Sequence, residues 1–278
     1  MKIKREKSLA KFLKVADRMV GPKVLVADIE TFPILAYVWG LFKQNISLEQ
    51  IAEDWSMMSF ACKWLGQPEL FYLDNRDQYE AKDDFLQLTA LSHILAEADM
   101  VVAHNGARFD LPKIRARLAL KGFKPTPPIK VVDTLLLNRT AFGFTSQKLQ
   151  YVSGKFAIDA KSDHKKYPGW KLWLGCMAND IGAWKECEAY NITDVTALEE
   201  TYLALRGWYT GGPNFGPYMP HTEEHNCPNC GSSDVTKKGT RKTQVGIYQR
   251  YNCGNCGAWS RGRVLIADKV ARSHILMN

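Results

Sequence analysis

From Lys23 to about Arg206 the sequence alternates short apolar runs with longer stretches of helical periodicity, and that alternation restricts this part to a mixed α/β layer fold. "KVLVADIE" predicts a strand, as do "LAYVWGLF" and "ELFYLD", the last introduced by Gly66 and Pro68. "DDFLQLTALSHILAEA" sets Phe85, Leu88, Leu91, Ile94 and Leu95 at helical spacing, and "DMVVAH" after it predicts a strand. "LPKIRARLAL" reads as a helix entered through Pro112 and closed by Gly122, and "IKVVDTLLL" as a further strand. Residues 153–183 predict loops with short helices, and one uninterrupted helix is expected from about Ala183 to Leu205.

"GWYTGGPNFGPYMP" then packs four glycines and three prolines into fourteen residues, which excludes a helix or a central strand. The expected organisation is a basic amphipathic helix over 1–22 with Leu9, Phe12 and Val15 on one side, an α/β domain over 23–206, a linker over 207–224, and a small cysteine module with a tail over 225–278. The net charge is +8, and the part from Gly207 onward carries five of those charges, which favours an anionic partner. There is no run of about 18 apolar residues and no leader pattern, so a soluble, cytoplasmic protein without a membrane partner is expected.

Two acids interrupt the first strand. Residues two apart in a strand share a face, so Asp28 and Glu30 project side by side and repel unless a cation lies between them. Magnesium or manganese, which prefer oxygen ligands, would serve, and so would the solvated end of an edge strand. "VVAHNGARFDLPKI" leads from an apolar strand through Asn105 to Asp110, which is placed either to join those acids or to cap the following helix. "CEAYNITDVTALEETYLAL" puts Tyr190 and Asp194 one helical turn apart; a tyrosine half-buried above an exposed acid has the same spacing.

"DIETF", "HNGARFDLP" and "YNITD", in that order, resemble the three motifs of the DEDD group of 3′ to 5′ exonucleases, and the resemblance spans about residues 23 to 206. The histidine version of the third motif needs His five positions before its last Asp, where this chain has Ala189; Tyr190 matches the tyrosine version. "FDLPKIRAR" and "VVDTLLL" are most similar to stand-alone relatives of the proofreading domain of family-B DNA polymerases. The resemblance implies a ribonuclease H-like mixed sheet flanked by helices and two Mg2+ or Mn2+ ions. It implies that Asp28, Glu30 and Asp194 hold the ion carrying the attacking water, and that Asp28 bridges to a second ion supported by Asp110. Tyr190 would orient the nucleophile, while Thr31, Phe32 and Asn105 would line the site against the terminal nucleotide; an aromatic placed like Phe32 is equally a core residue. Asp133 is expected to be structural.

"CPNCG" and "CGNCG" place Cys227, Cys230, Cys253 and Cys256 in two knuckles, the arrangement of a tetrahedral structural zinc site, here resembling a zinc ribbon. His221 and His225 lie nearby as alternative ligands, and a redox dithiol is the competing reading. Between the knuckles Lys237, Lys238, Arg241, Lys242 and Arg250 interleave with Tyr248 and Tyr251, a mixture suited to neutralising phosphates and stacking bases, and also to a soluble hairpin. The expectation is a metal-dependent 3′ to 5′ exonuclease acting on nucleic acid, with DNA, single strands and 3′ ends favoured, and one Zn2+ in its ribbon. The alternatives are an exoribonuclease or endonuclease on the same scaffold, and an inactive nucleic-acid adaptor that works through the ribbon. A compact core-plus-ribbon plan also suits a phage-encoded enzyme.

Overall fold

The computed structural model describes residues 3–77, 82–156, 158, 166–220, 225–244, 246–266, 268, 270, 273, 274 and 276. In chain order these form β1 (Lys4–Glu6), α1 (Leu9–Ala16), β2 (Val24–Thr31), β3 (Leu35–Ala36), β4 (Ile51–Glu53), β5 (Met57–Trp64), β6 (Glu69–Asp74), α2 (Phe85–Glu97), β7 (Met100–Ala103), α3 (Asp110–Leu120), β8 (Lys130–Asp133), α4 (Thr134–Ala141), α5 (Leu149–Lys155), α6 (Lys171–Met177), α7 (Ile181–Leu205), β9 (Val235–Lys242), β10 (Ile247–Cys253) and β11 (Trp259–Leu265). A six-stranded sheet runs β1-β6-β5-β2-β7-β8. Its β6, β5 and β2 form an antiparallel meander, while β2, β7 and β8 run parallel, joined by helical crossovers.

Alternation along β2 decides which face meets which helices. Leu25, Ala27 and Ile29 pack with residues of α1, α2 and α3, and Val24 and Val26 pack with Val195, Leu198, Tyr202 and Leu205 of α7. Asp28 and Glu30 continue the second set, so they face α7. On this face Lys63, paired in register with Val26, forms a buried ion pair with Glu199, which also accepts the Gly66 N–H at 2.7 Å.

Three readings of the sequence need correcting, the first being the basic helix over 1–22: it covers only Leu9–Ala16, because Lys4–Glu6 join the sheet edge beside β6 as β1. "LAYVWGLF" is not a strand beyond Leu35–Ala36; Tyr37, Trp39, Leu41 and Phe42 are exposed, Trp39 by 98%, and no sheet receives them. "IKVVDTLLL" is a strand only to Asp133, because that carboxylate accepts the Leu135 and Leu136 N–H groups and caps α4. The strand β5, "MMSFACKW", has no reading in the sequence: it is buried along its whole length and therefore lacks alternation. The Gly/Pro segment, expected as a linker, carries side chains that pack on the α/β domain. Tyr209 and Phe215 are buried in the α7-side cluster, and the Tyr209 hydroxyl donates to Asn138 Oδ1 at 2.6 Å.

The three antiparallel strands β9–β11 and the two cysteine knuckles make the second unit. It is docked on the end of α7: Asn229 Nδ2 donates to the carbonyls of Arg206 and Tyr209, both at 2.8 Å. A Cβ at Gly207 would lie 1.9 Å from the Cys256 carbonyl oxygen, so only glycine permits this approach.

Candidate active site

The strands β2 and β7 pair only from Val24 to Val26, and past that point they part. The main chain of β2 then lacks a strand partner on one side, and the first residue of α3 takes its place: Asp110 Oδ1 accepts the Ile29 N–H at 3.2 Å. Asp110 is therefore not the cap of α3, a position held by Phe109; its carboxylate is turned into the sheet. Such a gap at the carboxyl ends of parallel strands is where α/β folds accept ligands.

Asp28 and Glu30 lie on this gap from one side and α7 closes it from the other. Asn191, fully buried, donates from Nδ2 to Asp28 Oδ2 at 2.6 Å and to the Asp28 carbonyl at 3.3 Å. Its Oδ1 accepts the Ser59 hydroxyl at 3.3 Å. One turn along α7 the Tyr190 hydroxyl bonds Asp194. Burial raises the Asp28 carboxyl well above the usual carboxylate range, and Asp110, Glu30 and Asp194 push it the same way. Burial also pushes Asp110 up to about 7, against the opposing pull of the Ile29 N–H. Tyr190 is raised by burial and by Asp194, Glu30 and Asp28. The four acids and the tyrosine, remote in sequence, thus share one electrostatic neighbourhood.

A buried set of carboxylates that raise one another's affinity for protons is suited to divalent cations, which relieve the same repulsion. By donor chemistry the residues fit magnesium or manganese. Among the described residues the four cysteines are the group whose ligand atoms all lie within 4.8 Å.

Thr31 ends β2 half-buried and pairs with Met57. Phe32 is buried, its ring edge-on to Trp184 at 6.2 Å, so it packs the core and offers no open face to a base. Asn105 has φ 73°, a left-handed conformation that Asn tolerates, and its N–H donates to Asp133 Oδ1 at 3.1 Å. Asp133 also accepts the Ala107 N–H at 3.0 Å, which makes it the structural acid expected. Asn191 and Ser59 had no place in the sequence reading. Asn191 stands inside "YNITD", but a neutral amide in a helix carries no signal until β2 is seen beside it.

In the ribbon, Sγ of Cys227 lies 3.6 Å from that of Cys256, and Cys230 lies 3.7 Å from Cys253. A zinc ion bound by four thiolates at ~2.3 Å requires an edge of about 3.8 Å, so the thiols fit zinc. Gly231 and Gly257, each following the second cysteine of its knuckle, have φ 77° and 75°, the turn that wraps the backbone around such an ion. His225 is bonded to the Tyr251 hydroxyl at 2.8 Å, and His221 lies outside the described residues.

A profile of the RNase H superfamily matches residues 53–206, and the chain belongs to that superfamily, with its nuclease fold. The match begins after the strand that carries Asp28 and Glu30. Among solved structures the chain is similar to the family B DNA polymerase of the hyperthermophilic archaeon Pyrobaculum calidifontis, at 15% identity and TM-score 0.46, covering 66% of this chain and 25% of the polymerase. It is also similar to RNase D of Trypanosoma brucei, at 12% identity and TM-score 0.44, covering 77% of this chain and 66% of that one. The chain thus spans a quarter of the polymerase's length. No curated protein matches significantly. Among the described residues no helix is long and apolar enough to cross a membrane.

The Asn191 contact leads to a first prediction. Asn191→Ala leaves Asp28 without its side-chain donor, and its carboxylate free to turn. Divalent-dependent hydrolysis should fall roughly tenfold to a hundredfold, as loss of a supporting residue behind a ligand does, with the fold retained. Mn2+ affinity measured by calorimetry should weaken in parallel; unchanged affinity would remove Asn191 from the site.

A second prediction concerns pH. The folded state holds a proton on Asp110 up to about pH 7, whereas an unfolded Asp releases it near its ordinary value of 3.8. Between these values the folded state binds more protons, so this group's contribution to stability falls as pH rises. With zinc bound and divalent salt omitted, the melting temperature of wild type relative to Asp110→Asn should drop between pH 5 and 7.5. Magnesium or manganese should recover it at pH 7.5 and do little at pH 5. A difference between the two proteins that does not change with pH would contradict the placement of Asp110.

Proposed function

We propose that this protein is a 3′ to 5′ exonuclease that hydrolyses terminal phosphodiesters with two divalent cations and releases nucleoside monophosphates, DNA being the favoured substrate. The observation that carries this reading is the convergence of Asp28, Glu30, Asp110, Asp194 and Tyr190 on the gap between β2 and β7. Asp28, Glu30 and Asp194 would hold one cation, and Asp28 with Asp110 the other. When bound, such a pair activates water and stabilises the leaving oxygen.

The chain's own groups supply position and charge. Asn191 fixes the Asp28 carboxylate. Tyr190, whose hydroxyl burial and neighbouring acids keep protonated, can donate to or accept from the attacking water without competing as a base. With no covalent nucleophile required, Cys187 beside Ser59 stays a buried packing residue. Asn105 and Thr31 would line the mouth, with Phe32 packed behind it against Trp184. In this reading residues 23–206 are the catalytic domain and 225–278 the accessory one.

The test is a time course on 5′-labelled single-stranded DNA and RNA of one sequence, with magnesium, with manganese and with chelator. A metal-dependent ladder shortening from the 3′ end supports the proposal, and the faster substrate identifies the sugar. Internal cuts would replace it with an endonuclease, and binding without cleavage with an adaptor.

A further inference from the structure

The ribbon has two unlike faces. On the inner one Tyr251, Ser260, Gly262, Arg263 and Val264 border a cleft of about 530 Å³ shared with Asn214 of the Gly/Pro segment, and Arg261 touches it as well. Tyr251 is buried there, so it is not a stacking residue for bases as its sequence position suggested. The outer face follows from register. Arg250 is opposite Arg261, Asn252 opposite Trp259 and Tyr248 opposite Arg241, and Tyr248, Arg250 and Asn252, two apart along β10, share this side. The result is a ladder in which the Arg261 guanidinium lies 4.2 Å from the Tyr248 ring centre and Arg250 lies 4.6 Å from that of Trp259.

The three strands contain seven cations and no acid. Among the described residues none of the seven takes part in an ion pair. Setting Arg250 directly opposite Arg261 is unfavourable in an isolated sheet. A three-stranded sheet this exposed gains nothing in stability from that arrangement. It is, however, complementary to a polyanion carrying flat rings.

We infer that the outer face of β9–β11 is a sequence-independent binding strip for single-stranded nucleic acid, in which bases stack on Tyr248 and Trp259 while Arg241, Arg250 and Arg261 take phosphates. Binding here does not depend on whether the core hydrolyses anything. Its use as an anchor for the strand being shortened rests on the exonuclease reading. Duplex, whose bases are already stacked, gains only the phosphate contacts.

The experiment uses the full-length, zinc-loaded protein carrying Asp28→Asn, and fluorescein-labelled oligo-dT and oligo-rU of 25 nucleotides and a duplex of equal length, followed by anisotropy across a salt series. Single strands should bind at least tenfold more tightly than duplex. Trp259→Ala should weaken single-strand binding roughly tenfold and leave duplex binding unchanged. Arg250→Ala with Arg261→Ala should lower the salt slope by about 1.4. Zinc content confirms that each variant's ribbon is folded, and Trp259→Phe, which keeps a ring, should restore most of the binding. Equal binding of duplex and single strand, or variants that bind like the parent, would overturn the inference. In protein with native Asp28 the ribbon variants should still cut tetranucleotides at the parental rate and lose only the advantage on long strands. If the parent cuts nothing and yet binds, the exonuclease reading fails and the strip stands.

Discussion

Asp28→Asn is expected to reduce divalent-dependent hydrolysis by about a thousandfold or more and, at the same time, to stabilise the protein in the absence of divalent ions. The first effect follows from cation chemistry: charge stabilisation by bound ions is worth several kcal/mol, and each ~1.4 kcal/mol is tenfold in rate. The second follows from the neighbourhood of the side chain. The Asp28 carboxyl is buried, and Asp110, Glu30 and Asp194 raise it well above its ordinary range, so its charged form is the costly one in the folded state. Asparagine keeps the shape and can still accept the Asn191 amide, but it carries no charge to bury. At pH 7.5 without divalent ions the melting temperature should rise by roughly 2–4 °C for each kcal/mol relieved. Added magnesium should stabilise wild type far more than the variant. Hydrolysis that survives the substitution would sink the exonuclease assignment, whereas a fall in melting temperature would mean that Asp28 serves the fold instead.

Removal of zinc should have the other large effect. The buried apolar content of the ribbon amounts to Cys227, Tyr251, Cys253 and Ala258 with a few partly buried neighbours, and β9 is exposed along almost its entire length. Such a unit has no core to hold it, and a structural zinc site supplies on the order of 10–16 kcal/mol. Metal analysis should find one zinc per chain. A chelator strong enough to take it, or Cys253→Ser, should unfold β9–β11 while the six-stranded domain keeps a cooperative transition. Hydrogen exchange reads the two units separately. Protection of β10 amides that persists after zinc removal would contradict this account.

The acids and the thiols were legible in the sequence because their geometry is encoded locally. Two residues apart on a strand, four apart on a helix and the C-x-x-C knuckle each fix a shared direction without reference to the rest of the chain. The strands β2, β6 and β7 and the helices α2, α3 and α7 were legible for the same reason. What escaped depends on distant partners. Asn191 acquires its role only from Asp28, 163 positions away, and Lys63 can be a buried cation in β5 only because Glu199 lies 136 positions on. Tyr248 and Tyr251, three apart, fall on opposite faces of β10 by alternation alone, but which of those faces is covered depends on the distant Gly/Pro segment that borders the cleft at Tyr251. Phe32 and the residues around Trp39 erred in opposite directions: the first is buried where a contact surface was expected, the others are exposed where a strand was expected.

The attachment of α7 to the sheet works as a vernier. It is pinned twice on one face, Asn191 to Ser59 and Asp28 near its middle, Glu199 to Lys63 farther along. Eight helical residues advance about 12 Å and the four strand residues beneath them about 13 Å, so both pins can engage only in this phase. One residue inserted between Asn191 and Glu199 would rotate the leading half of the helix by about 100° against the fixed half. Asn191 would swing off Asp28 and Tyr190 off the gap together, although no acid had been altered and the sheet was intact. Selection on the length of this segment is therefore selection on chemistry, and deletions within it should be as damaging as changes to the acids themselves.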